Sequence, residues 1–266
     1  MDFFQLIGYF LAVLVGISLG LIGSGGSILS VPILVYILKV EPVLATAYSL
    51  FIVGVTALVG GIQKARQKLV DFKKVLLFGI PTILAVFITR KYIVPTIPDV
   101  LFSTPSFSVT KSVFIMILFA IVMIFASIRM IKPIKIIDVE TKREINFFQI
   151  IFQGLWIGLV AGFVGAGGGF LIIPALFFLA KTPMKIAVGT SLLIIASQSL
   201  IGFLGDLSSN QDFDWNLLFF FSLFSVVGIF IGNYISKYIS GEKLKTGFGW
   251  FVLIMGFYII LKELVL

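Results

Sequence analysis

Two glycine-dense stretches are the parts of this sequence whose composition and spacing could do chemistry. They read Gly20-Leu21-Ile22-Gly23-Ser24-Gly25-Gly26-Ser27 and Gly162-Phe163-Val164-Gly165-Ala166-Gly167-Gly168-Gly169. A glycine inside a helix costs about 1 kcal/mol relative to alanine, so glycines this closely spaced should interrupt any helix that enters them. Each interruption would free backbone N–H groups at the start of the next helix, where the positive end of the macrodipole lies. Such a place can hold an anion with no help from Arg or Lys. Ser27 stands where an N-cap is expected, and Pro32 and Pro174 fall in the first two turns of the following segments, where a missing N–H does least harm. The candidate anion contacts are therefore Gly23, Ser24, Gly25, Gly26 and Ser27 in the first stretch, and Gly165, Ala166, Gly167, Gly168 and Gly169 in the second. Ser49, Thr190 and Ser191, one segment further on, could add hydroxyl donors. The competing reading makes the glycines helix-packing residues and the hydroxyls interhelical glue worth about 0.6 kcal/mol each. Packing motifs space small residues by four, however, and Gly23–Ser27 is an unbroken small run. Gln198 and Asn233, the other polar side chains deep in apolar segments, are read as packing glue.

Other chemistries are poorly supplied. There is no Cys and no His, which excludes disulfides, thiol nucleophiles, Cys/His metal sites and imidazole catalysis. No metal or cofactor is expected, and no hydrolytic or redox machinery is visible, so the chain is read as not an enzyme. All acidic and basic residues fall outside the apolar segments or at their edges; the expectation is that no buried carboxylate serves as a proton relay.

The elements that must position the glycine stretches are membrane helices. Of the 266 residues, 59% are hydrophobic and 12% are charged, where a soluble domain carries about 25% charged residues. The net charge of +8 sits in short connections, where it fixes orientation, so nucleic acid is not an expected partner. No Lys or Arg precedes Lys39, and Phe3–Gly23 is read as a retained span instead of a signal peptide. Apolar segments lie at about 3–23, 27–38, 44–62, 75–89, 112–128, 147–165, 169–180, 186–205, 217–235 and 248–261. The second and seventh are too short. Twelve helical residues cover roughly 18 Å of a hydrocarbon core about 30 Å thick.

The two short segments occupy matching places in an internal repeat that lays Gly16–Leu50 onto Gly158–Leu192. It aligns Gly16 with Gly158, Gly20 with Gly162, Gly23 with Gly165, Gly25 with Gly167, Gly26 with Gly168, Pro32 with Pro174, Lys39 with Lys181 and Ser49 with Ser191. The expected fold is an all-α polytopic membrane protein of two repeats: residues 1–128, a cytoplasmic linker at 129–146, and residues 147–266. Five segments per repeat is an odd number, so the second repeat should enter the bilayer inverted. Loop charge agrees, since Gln63–Lys74 carries Lys64, Arg66, Lys68, Lys73 and Lys74 while its counterpart Asp206–Asn216 carries only Asp206, Asp212 and Asp214. The positive-inside rule then puts the first loop in the cytoplasm and the second outside, although Arg90, Lys91 and Lys111 in an external connection count mildly against it.

The paired Gly-x-x-Gly-x-Gly-Gly stretches followed by an apolar run and Pro, together with Tyr48-Ser49-Leu50, Gly189-Thr190-Ser191-Leu192 and the closing Gly228-x-x-x-Gly232 helix, resemble the sulfite exporter family called TauE/SafE. The resemblance covers both halves. It implies a permease for sulfite, sulfonates or other small organic anions in a cell membrane, with a small anion and the lipid bilayer as partners. Ser24 and Ser27 stand opposite Ala166 and Gly169, and Tyr48 opposite Thr190, so the two half-sites should not contribute equally. An anion channel, or a carrier of a small carboxylate, is the alternative. Topology is testable on the cysteine-free background: a cysteine at Lys68 should react with an impermeant maleimide only from the cytoplasmic side, and one at Ser209 only from outside. Same-side labelling would sink the inverted arrangement.

Overall fold

The computed structural model describes residues 3–23, 26–104, 107–131, 147–178, 182–207, 212–236, 238 and 241–265. Helices account for nearly all of it: α1 Phe3–Ile22, α2 Gly26–Pro32 continuing as a π-helical turn Ile33–Ile37, α3 Pro42–Arg66, and α4 Phe72–Ile88 continuing as a π-helical turn Thr89–Ile93. A short α5, Val94–Thr96, and a hairpin of β1 Val100–Thr104 and β2 Phe107–Thr110 lead to α6 Lys111–Ile131. The second half holds α7 Phe147–Val164, α8 Gly169–Phe178, α9 Met184–Leu207, α10 Trp215–Ile235 and α11 Gly241–Val265. Each apolar segment read from the sequence is a helix here, and among the described residues seven helices are long and apolar enough to cross a membrane. The protein is an all-α, multi-pass membrane protein. Most of the expected linker, 132–146, lies outside the described residues. The hairpin, which was not anticipated, occupies the connection between α4 and α6, with Phe102 paired to Val109 and Ser103 to Ser108.

Local chemistry sets the helix ends. Glu41, Asp71 and Asp214 cap α3, α4 and α10, their carboxylates accepting from the N–H groups of Leu44, Lys74 and Leu217 at 2.9, 3.2 and 3.0 Å. Pro42 follows its cap at the first helical position, where its fixed φ suits the helix and its missing N–H costs nothing. Lys64 and Arg66 fall in the last turn of α3, next to the negative end of the dipole. The short helices α2 and α8 close alike: the N–H of Val40 donates to Leu34 O at 2.9 Å, and that of Thr182 to Leu176 O at 3.0 Å.

The packing is that of a lipid-solvated bundle. α3 and α9 lie against each other at the centre, flanked by α4 on α9 and α10 on α3, while α1 packs on α10 and α7 on α4. Under the sequence match α1 corresponds to α7, α3 to α9 and α4 to α10, so these contacts exchange into one another. The α6–α11 pair closes a second apolar cluster, in which Met116, Phe119, Val252 and Ile259 meet Ile28 and Val31 of α2. The outward faces carry Phe10, Phe125, Phe148, Phe152, Trp156, Phe219 and Ile254, each 61–77% exposed, which lipid tails solvate at no cost.

Glycines bring α1 and α10 into backbone contact. A Cβ at Gly16 would lie 1.9 Å from Ser225 O, and one at Gly228 would lie 2.1 Å from Val13 O. Close approach of this kind drives helix association where no hydrophobic effect can. Gly16→Val and Gly228→Val should each destabilise the fold by about 3 kcal/mol or more. By contrast Gly247, on α11, has nothing within 4 Å of where a Cβ would sit, and Gly247→Ala should gain about 0.5–1 kcal/mol of helix stability. Melting curves in detergent would check both signs.

Candidate functional site

Both glycine stretches do break the chain. The last helical residue of α1 is Ile22, and Gly23 follows at φ +79°, its N–H donating to Leu19 O at 2.7 Å. The last of α7 is Val164, and Gly165 follows at φ +68°, its N–H donating to Ala161 O at 2.9 Å. A left-handed residue just past a helix is the ordinary glycine terminator. Both break glycines also sit against the long helix of the other half: a Cβ on Gly23 would lie 2.6 Å from Val188 Cγ1, and one on Gly165 would lie 2.4 Å from Thr46 Cβ. Val188 and Thr46 are themselves matched residues of α9 and α3.

Beyond that point the halves differ. In the second, Gly167 and Gly168 are also left-handed, at φ +63° and +60°, and α8 starts at Gly169. The N–H groups of Ala166, Gly167 and Gly168 have no backbone acceptor among the described residues, and the stretch Gly165–Gly169 is buried. These amides stand at the positive end of the ten-residue α8, in the geometry that attracts anions. Gln198 of α9 fixes the turn by donating from Nε2 to Gly167 O. Its Oε1 and the Oγ of Ser199 are buried without a hydrogen-bond partner among the described residues, and a Cβ on Gly167 would come within 2.9 Å of that Ser199 Oγ. Gln198 thus positions the break instead of serving as general packing glue. Ser199 was missed by the sequence reading, although the polar run Ser197-Gln198-Ser199 within an apolar helix was a signal.

In the first half, Ser24 and Gly25 lie outside the described residues. Gly26 is the first residue of α2, and a Cβ there would meet Val15 O at 2.1 Å; its lack of a side chain lets α2 pack closely on α1. Ser27 is the second helical residue, not the N-cap, because α2 already begins at Gly26. Ser30 Oγ donates to Ser27 O at 3.1 Å and sits 2.6 Å from Ser49 Oγ. With the Ser30 proton so engaged, Ser49 must be the donor in that pair, which ties α3 to α2. Ser191 Oγ donates to Val188 O of its own helix at 2.8 Å.

Thr190 and Tyr48, read as a mismatch between half-sites, do the same job. Thr190 Oγ1 accepts from the N–H of Asp71 at 3.0 Å, and Tyr48 Oη accepts from the N–H of Asp214 at 2.6 Å. Each clamps the capping residue of the helix that flanks it, and Lys74 Nζ, close to the first clamp, donates to Thr182 Oγ1 at 2.8 Å.

A further expectation, that no carboxylate is buried, is overturned. Arg90 is 1% exposed and Asp206 7%, with Arg90 Nε 3.5 Å from Asp206 Oδ2. A buried carboxylate therefore exists, paired to a buried guanidinium. The sequence reading ended the fourth and eighth apolar segments one residue short of each, whereas the helices run on to Ile93 through the π-helical turn and to Leu207.

The sequence profile of the sulfite exporter TauE/SafE family matches residues 9–259. The chain belongs to this family. A probable membrane transporter protein of Xylella fastidiosa strain Temecula1 is 27% identical over 94% of this chain and 92% of its own length. The probable membrane transporter protein YunE of Bacillus subtilis is 27% identical over 89% of this chain and 88% of its own. The probable membrane transporter protein MJ0441 of Methanocaldococcus jannaschii is 28% identical over 76% of this chain and 73% of its own. No solved structure matches the chain. Membership in TauE/SafE makes this a membrane transport protein.

The paired clamps generate a stability prediction. Tyr48→Phe and Thr190→Val should each cost about 0.5–1.5 kcal/mol by taking the acceptor from a part-buried N–H. They act on separate helix starts, so the double variant should lose close to the sum, within about 0.5 kcal/mol. Denaturant or thermal melts of the three variants read this directly.

Proposed function

We propose that this chain carries a small oxyanion across the cell membrane, with sulfite or an organosulfonate as the favoured substrate, by alternating exposure of a site between the two glycine breaks. The observation that carries the reading is the run of buried N–H groups at Ala166, Gly167 and Gly168 without backbone acceptors among the described residues, at the start of a helix too short to span. Backbone amides at membrane depth cost several kcal/mol each if left dry, and an oxyanion offers several acceptor oxygens at once. Ser199 Oγ beside Gly167 supplies a further donor. The family name points to a sulfur oxyanion among the anions such a site could take. Short discontinuous helices meeting near the midplane are how several transporter folds hold their substrates. The equivalent contribution of Ser24 and Gly25 in the first half belongs to this proposal.

A ligand at about 100 times its Kd stabilises the native state by about 2.7 kcal/mol. Purified protein should therefore melt higher in sulfite, or in one member of a panel of sulfate, thiosulfate, methanesulfonate and acetate. Gly167→Val forces a side chain onto left-handed backbone and against Ser199, and should abolish that shift. Gly16→Val should lower the baseline melting temperature but keep the shift. Unchanged ligand stabilisation in folded Gly167→Val protein would mean that the breaks are architectural. In proteoliposomes, saturable flux stimulated by anion on the far side is expected, and single-channel currents would instead favour a channel.

A further inference from the structure

The buried pair between α4 and α9 has a neutral counterpart in the other half. Arg90, on the π-helical turn that extends α4, meets Asp206 at the end of α9. Across the repeat, Asn233 of α10 donates from Nδ2 to Gln63 Oε1 of α3 at 2.6 Å. α4 corresponds to α10 and α9 to α3, and the partners agree in position to within one residue. One end of the central four-helix arrangement is thus fastened by a charged pair, and the end bearing the Lys64–Lys74 loop by an amide pair.

The charged fastening is incomplete on the arginine side. Among the described residues Arg90 is the largest fully buried side chain, yet none of its Nε, Nη1 and Nη2 has a hydrogen-bond partner there, and its ion pair with Asp206 runs through Nε at 3.5 Å. A guanidinium cannot shed its proton to escape burial, and its planar fork suits two oxygens of a carboxylate or an oxyanion. The local backbone is arranged around this side chain. Arg90 continues the buried i, i+4 stripe of Phe78, Thr82 and Val86 along α4, while its neighbours Lys91 and Tyr92 are exposed. Gly205 lets α9 pass close by: a Cβ there would lie 3.1 Å from Arg90 Cβ and 3.3 Å from the N atom of Lys91.

Resting on the transport reading above, we propose that Arg90 is the charged recognition group of the anion pathway. It pairs with Asp206 while this end of the bundle is closed and with the transported oxyanion when it opens. Asp206 is then an internal competitor for the same fork, and the anion that displaces it loosens α4 from α9.

The test is isothermal titration of sulfite into detergent-purified wild type, Asp206→Asn, Arg90→Lys and the double variant Arg90→Met/Asp206→Leu. Asp206→Asn removes the competitor and should tighten sulfite binding about tenfold or more. Arg90→Lys keeps the charge but loses the fork, and should weaken it by a similar factor. The double variant replaces a buried ion pair with apolar side chains, a change that folds tolerate. It should melt at or above the wild-type temperature and bind no sulfite. A structural fastening alone would give a folded double variant with wild-type affinity, and that result, or an Asp206→Asn protein with unchanged or weaker affinity, overturns the proposal. If folded wild type binds neither sulfite nor any other anion of the panel, the transport site itself has been misread and the role of Arg90 falls with it.

Discussion

Hydrocarbon offers no hydrogen bonds, and this one fact governs how the chain can depart from a helix. A backbone that unwinds at membrane depth must find acceptors within the protein or face water or a ligand. Around Gly165–Gly169 each available device is in use. Gly165 closes α7 by returning its N–H to Ala161, Gln198 takes up the carbonyl of Gly167, and Leu171 and Ile172 donate back to Gly168 O. Three adjacent amides, at Ala166, Gly167 and Gly168, are left without a backbone acceptor among the described residues, next to the positive end of α8. The left-handed conformations at Gly165, Gly167 and Gly168 are what an L side chain would resist, so the glycines are required by geometry as well as by space.

The same constraint explains why so much of the fold was legible in the sequence. Long apolar runs of this kind read as helices because a helix satisfies its whole backbone within one segment in lipid. The repeat match also foresaw that Gly23 and Gly165 would behave alike. Finer detail was not legible. That Gly26 packs on Val15 while its counterpart Gly168 is left-handed depends on α2 starting one residue earlier than α8, a register that composition does not encode. Tyr48 and Thr190 differ in size and chemistry, yet each places one oxygen on the N–H of a capping aspartate; only the path of α10 and α4 shows that they are equivalent.

Arg90 and Asp206 show where reading by hydropathy misleads. A window of apolar residues ends at the first charge, so each was assigned to a loop by the very charge that makes it interesting. The helices do not end there: the π-helical turn carries α4 past Arg90, and α9 continues to Leu207. A charged residue at the edge of an apolar run therefore has two readings, snorkelling to the interface or continuing the buried face of its helix inward. Lys91, with its Nζ over the ring of Phe87 at 5.4 Å, takes the first, and Arg90 the second.

The contrast between the two fastenings bears on how a bundle like this could change state. Replacing a well-made apolar contact costs its full burial energy, which makes it a poor hinge. A buried ion pair is different, because its desolvation penalty offsets most of its Coulomb attraction and its net contribution is often near zero. Its two partners are nonetheless strongly dependent on each other, since separating them without a substitute leaves charge in a low-dielectric interior. An element with small net stability and a large penalty for being half-open has two good states and a poor intermediate, which is what a switching contact needs. The Asn233–Gln63 pair carries no such charge penalty and can part with only water as replacement. If the two ends alternate, the charged end is the one whose opening is tied to the presence of an anion, and the neutral end the one that can open empty.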